Sequence, residues 1–278
     1  GSSGSSSLSD SGSASASETV NRVIATNVIT DATGTRVETT KWSDGTIVTV
    51  MTMEPGGVVE TKVELPRQVV DAAQREGKTV TLPVAKVSVT NALETTSSIT
   101  IRTGSETTVK VLVPATMPSA GTVAVAVNPD GTTRVIKGSM PTDIGVVIPV
   151  ADGETVKIVD LSRQFADVPA DAWYKEAVNY VAARDLFNGV TETTFNPAAQ
   201  MTCATLITAL ARLDGVETEG GAAWYVKSME WATARGLANE GLDPENVATS
   251  ELIAIFEKYF EIVYDDELPP TLTRAEAA

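Results

Sequence analysis

The sequence predicts a multidomain chain: an all-β N-terminal region, built as a sandwich or paired meanders with one short helix, followed by an all-α region of helical-hairpin repeats. Three observations predict it. Up to about residue 160, alternating Val, Ile and Thr runs are cut by turn signals, the first of them eleven to twelve residues apart. Beyond Phe165 the apolar spacing changes to three and four residues. The second half also repeats the order of its own punctuating residues.

Taken in order, residues 1–18 are almost wholly Gly, Ser and Ala, which predicts a disordered linker outside the fold. No signal-peptide pattern opens the chain, which reads as a fragment of something larger. Residues 19–162 form the β-rich stalk or spacer. Thr33-Gly34-Thr35, Asp44-Gly45-Thr46 and Pro55-Gly56-Gly57 mark turns between consecutive antiparallel strands. Pro66 through Gly77 breaks the alternation, with proline at the first helical position, glycine past the end, and Val69, Val70 and Ala73 on one side. Strands resume over 79–89, 98–102, 108–113, 123–127, 133–136, 145–150 and 155–159, with Asp130-Gly131 and Asp152-Gly153 as hairpin turns. Roughly ten strands exceed what one open sheet holds without curling or splitting. Trp42 is the only aromatic residue between Thr19 and Asp160, so the region lacks a ring platform for stacking sugars.

In the second half, Trp173, Ala177 and Val181, flanked by Val178 and Ala182, draw one apolar stripe along a helix that closes near Asp185. A loop follows at Asn188-Gly189. Thr202 stands at an N-cap ahead of a second stripe of Leu206, Ile207, Leu210 and Leu213. Hairpins this short bury both stripes only by stacking on others.

The order Phe165-Ala166-Asp167-Val168-Pro169, Trp173, a helix, Asn188-Gly189, Phe195-Asn196-Pro197 and Thr202 resembles an S-layer homology repeat. Trp224-Tyr225, Ala234-Arg235-Gly236-Leu237 and Asp243-Pro244 resemble a second, shortened copy, and Thr273-Arg274-Ala275-Glu276 carries the family's tetrapeptide intact. The repeats then span 163–215 and 222–262, with a truncated third at 263–278. The resemblance implies non-covalent anchoring of a bacterial surface protein to the cell wall by binding a pyruvylated secondary cell-wall polysaccharide. It implies as binding residues Asp167, Trp173, Trp224, Arg274 and Glu276, with the arginine beside open helix N-terminal amides that receive a carboxylate.

Four of these residues have a plainer reading. Trp173 and Trp224 suit core anchors, Asp167 suits a cap on the turn before Pro169, and Arg274 suits a solvated first-turn side chain. Two of three expected sites lack their arginine. Cys203 and Thr205 replace arginine and glutamate in the first repeat, and Ala248 and Thr249 replace threonine and arginine in the second, where Thr249 or Ser250 remains to cap the helix. Cys203, at a helix N-terminus, reads as an inert replacement rather than a thiol of lowered pKa. The alternative function is accordingly a structural or protein-interaction scaffold whose degenerate repeats no longer bind the wall.

Composition narrows the classes further. The sequence has no histidine and one cysteine, which removes His-based catalytic and zinc sites and any internal disulfide. No enzyme, metal or cofactor is expected. Of the net charge of −15, residues up to Gln164 carry 17 acidic against 14 basic side chains, and the remainder 19 against 7. Such a field argues against nucleic acid as a partner. No apolar run of eighteen residues occurs, so no membrane insertion is expected, and the localisation implied is extracellular, at the cell wall.

Overall fold

The computed structural model describes residues 20–53, 59–94, 96–261 and 271–278. The predicted linker, the Pro55-Gly56-Gly57 turn and most of the segment before Leu272 lie outside the described residues.

The N-terminal part is β-rich, with mixed sheets. Its elements are β1 (Val23–Thr30), β2 (Arg36–Trp42), β3 (Ile47–Thr52), β4 (Val59–Glu64), α1 (Arg67–Glu76), β5 (Val80–Thr81), β6 (Val87–Ser88), β7 (Ser98–Arg102), β8 (Val109–Thr116), β9 (Thr122–Val127), β10 (Thr133–Ile136), β11 (Met140–Thr142), β12 (Gly145–Val150) and β13 (Glu154–Asp160). The first sheet runs β1-β2-β3-β4-β7-β13-β9-β10, and the second runs β11-β12-β8-β5 with β6 also on β8. Strands β1 to β4 form the antiparallel meander that the turn spacing predicts, with Gly34 and Gly45 at positive φ in the turns.

Pairing then becomes long-range. Strand β7 lies parallel to β4, and β5 and β6 lie parallel to β8. Alternate side chains of the two sheets share one apolar cluster that includes Val63, Ile101, Val111, Ile148 and Ile158. Helix α1 adds Val70 to it and ends on Gly77 in the left-handed conformation, with Pro66 at the N-cap, one position earlier than expected.

Two expectations need correcting. Asp152-Gly153 is not a hairpin turn, because β12 and β13 belong to different sheets and the chain crosses between layers there. Residues 79–89 do not form one strand; Pro83, which has no N–H to give a ladder, falls between the short β5 and β6.

The helical part comprises α2 (Lys175–Ala183), α3 (Cys203–Leu213), α4 (Val226–Ala234), α5 (Thr249–Phe260) and α6 (Arg274–Ala277). Val178, Val181, Leu206, Ile207, Leu210, Ala232, Leu252 and Ile255 gather in one cluster, so the stripes bury each other. Trp173 is not on that stripe. It precedes α2 and is 75% exposed, and Trp224 precedes α4 at 54%, which corrects the core-anchor reading of both.

The starts of α2 and α4 share their geometry. Tyr174 and Tyr225 hold both N-cap positions, and in each case the preceding tryptophan ring meets the tyrosine edge-on at 5.4 Å and 85°. Both helices have nine residues, and both are followed by a positive-φ residue, Asp185 or Gly236. The next amide, Leu186 or Leu237, donates back to Val181 or Ala232 at 2.9 Å.

The two parts meet along β9. Ala124 and Ala126 face the sandwich core, while Val123 and Val125 pack with Val159 and with Ala183 of α2. Arg184 crosses this seam fully buried. Its guanidinium donates to the carbonyls of Ala120, Thr122 and Ser139 in the β-rich part and of Tyr180 in its own helix, at 2.9–3.1 Å.

Candidate functional site

The site is assembled around the loop Phe195-Asn196. Phe195 is fully buried against Phe165, ring centroids 5.4 Å apart, and Asn196 takes a positive φ of 58°, which asparagine tolerates better than most residues. Gly189 closes the neighbouring turn. A Cβ there would lie 2.3 Å from the Thr191 carbonyl and 2.7 Å from the Phe165 ring, so the Asn-Gly pair is a packing requirement.

Asp167 reaches across to this loop, accepting the amides of Phe195 at 2.8 Å and Asn196 at 2.7 Å. It therefore does not chiefly cap the turn before Pro169. Burial pushes its carboxyl up, but those amides and the Arg274 charge outweigh this and hold it below the usual carboxylate value.

Arg274 approaches the same loop from the far end of the chain. Its Nε donates to the Phe195 carbonyl at 3.1 Å, its Nη2 donates to the Asn188 carbonyl at 2.7 Å, and Cζ stands 4.7 Å over the Phe195 ring. Half burial lowers its pKa, and Asp167 opposes that shift. Thr273 and Glu276 form a reciprocal capping box: the Glu276 amide donates to the Thr273 hydroxyl at 3.3 Å, and the Glu276 carboxylate accepts the Thr273 amide at 2.7 Å. Those contacts give the Glu276 carboxylate a structural task within its own helix.

The helix entrances are not open. Arg274 and Ala275 amides donate to the Ala199 and Pro197 carbonyls, while Cys203 and Ala204 amides donate to Asn246 and Pro244. Each entrance thus docks on the loop of another segment, which corrects the expectation of free amides beside the arginine. Arg274 Nη1 makes no hydrogen bond among the described residues.

Asp167 and Arg274 converge; Trp173 and Trp224 do not join them in any ring contact with the Phe195 loop. At the substituted positions, Cys203 is fully buried, and burial first, then Glu251 and Asp243, push its thiol up to about 11. Neither Thr249 nor Ser250 caps α5. Its N-cap is Ala248, the Thr249 hydroxyl is buried without a partner among the described residues, and Ser250 donates to Glu251.

Sequence reasoning missed Arg184 as a positioning residue; its signal was a charge set directly after Ala182-Ala183 on a buried helix end. Among the described residues no group of three potential metal ligands occurs.

Residues 164–202 match the family model of the S-layer homology domain. The chain carries an S-layer homology domain. The match contains Asp167, Trp173 and the Phe195 loop and stops at the cap of α3, leaving Trp224, Arg274 and Glu276 beyond it. No curated protein matches the chain. The S-layer homology domain is a non-catalytic cell-wall binding module whose general ligand is cell-wall polysaccharide, so it marks attachment at the cell surface. Among the described residues no helix is long and apolar enough to cross a membrane.

Proposed function

We propose that residues 163–278 are S-layer homology-type helical hairpins, two copies at 163–215 and 222–262 and a truncated third at 263–278, which hold a surface protein to the wall by binding its secondary polysaccharide. Residues 19–162 act as the β-rich spacer. The observation that carries this reading is the meeting of Asp167 and Arg274, 107 positions apart, on one loop inside the matched segment. The shared geometry at Trp173-Tyr174 and Trp224-Tyr225 supports the repeat assignment. An acidic substituent of the polymer, such as a pyruvyl ketal, binds at Arg274 Nη1, with Glu276 holding the arginine's helix in shape. Trp173 and Trp224 offer exposed rings to sugar faces further along the chain.

A second reading, a scaffold that has lost wall binding, is favoured by Cys203, which buries an uncharged side chain where the family places its arginine. Sedimentation with wall sacculi separates the two. The anchoring reading predicts co-sedimentation with untreated sacculi and its loss after hydrofluoric acid strips the secondary polymer. Equal sedimentation with both, or none with either, supports the scaffold.

A further inference from the structure

We propose that the cleft between the β-rich and helical parts is a second contact surface for the wall polymer, in which Lys137 and Arg212 grip an acidic group. The proposal rests on the polymer-binding reading above and adds to it that the β-rich part is a working wall of the site rather than a spacer alone.

The cleft has a volume of about 1050 Å³. One side is the edge strand β10 with Lys137 just past its end, the other is the last turn of α3 from Arg212 and the stretch that follows to Glu219, and Val125, Val159 and Leu161 contribute an apolar lining. Lys137 is half-buried and makes no hydrogen bond or ion pair among the described residues. Arg212 uses Nε on the Thr218 hydroxyl and Nη1 on the Leu186 carbonyl, so Nη2 is left unengaged among the described residues. Burial and the nearby Arg212 charge both push the Lys137 ammonium below its ordinary value, opposed by Asp185 and Glu217.

Three of the five acids lining the cleft are engaged by other arginines. Glu154 is held by Arg134, Asp185 by Arg163 and Asp214 by Arg235, which leaves Glu217 and Glu219 opposite two cations. In a chain of net charge −15, two neighbouring cations without an ion-pair partner carry mutual repulsion and lost hydration, and an anion between them removes both costs.

Two features tie the cleft to the first site. Asn188 lines it while giving its carbonyl to Arg274, so a polymer seated at Arg274 continues into it. Arg184 binds the carbonyl of Ser139, two residues past Lys137, and so fixes the Lys137 wall against the helices before any ligand arrives.

The test is titration of the full chain with polymer released from sacculi, comparing Lys137→Glu, Lys137→Arg and Arg274→Gln. Lys137→Glu is expected to weaken binding about tenfold, the loss of one charge-assisted contact, and to flatten the salt dependence. Lys137→Arg is expected to stay within about twofold. With carboxyl-reduced polymer, loss of the Lys137 effect assigns a carboxylate and its persistence assigns a phosphate. If Arg274→Gln loses binding while Lys137→Glu keeps both the affinity and the salt dependence of the unmodified chain, the cleft proposal alone is overturned. If the unmodified chain does not bind, the anchoring reading and the cleft fall together.

Discussion

Replacing Arg184 with alanine removes a buried cation that ties the two parts together. Four carbonyls lose their donor, three of them in the β-rich part. An orphaned buried acceptor costs about 1–3 kcal/mol, so four at the low end of that range sum to about 4 kcal/mol. Relief of the guanidinium's own desolvation offsets part of that, and the vacated volume adds a cavity term. The expected loss is about 3–5 kcal/mol. Burial pushes this guanidinium down only to about 10, so it is charged at neutral pH and the full effect is present there. The assay is urea denaturation followed by far-ultraviolet circular dichroism at 222 nm, where the helices dominate, and by the fluorescence of Trp42 for the β-rich part in a background with Trp173, Trp224 and Trp231 replaced by phenylalanine. The unmodified chain is expected to give coincident transitions, and Arg184→Ala an earlier, separate helical one. Arg184→Met, which keeps the volume, should recover about 1 kcal/mol, whereas Arg184→Lys, without the planar fork, should fall between. A loss under about 1 kcal/mol with coincident transitions would refute the reasoning.

Three further outcomes follow from the site. Gly189→Ala should lose about 1–3 kcal/mol, since its Cβ meets backbone and a ring rather than a movable side-chain end; an unchanged thermal midpoint would contradict this. Cys203 should resist iodoacetamide at pH 7.5 in the native chain and react only in denaturant, whereas fast native labelling would show the helical cluster to be open. Asp167, whose folded pKa lies below the ordinary 3.8, contributes stability that is complete above that pH and lost as pH falls through the folded value. The Phe195 and Asn196 amide resonances should therefore move on acidification well below pH 3.8, and Asp167→Asn should remove that step. An identical titration in the variant would assign it elsewhere.

Local chemistry made much of the fold legible. Glycines at positive φ marked the β1–β2, β2–β3 and β9–β10 turns, and the Thr202 hydroxyl that caps α3 stood out ahead of its apolar run. What failed was long-range. The same Asp-Gly chemistry serves a hairpin at Gly131 and a layer crossing at Gly153, so no local signal distinguishes them. Trp173 fell in step with Ala177 and Val181, yet the helix begins at Lys175 and the indole stays outside. Asp167 finds its amides 28 and 29 residues away, Arg274 its carbonyls 79 and 86 residues away, and no such separation leaves a periodic trace. The family motif pointed to both residues, but only coordinates reveal that the helix amides beside Arg274 are already occupied.

Wall attachment through Asp167 and Arg274 is tested most directly by calorimetric titration of the chain and its Arg274→Gln variant with polysaccharide released from sacculi. Saturable binding by the unmodified chain, weakened at least tenfold in a variant that remains folded, is the predicted result. Binding that is absent from the unmodified chain, or equal in the two, would contradict it.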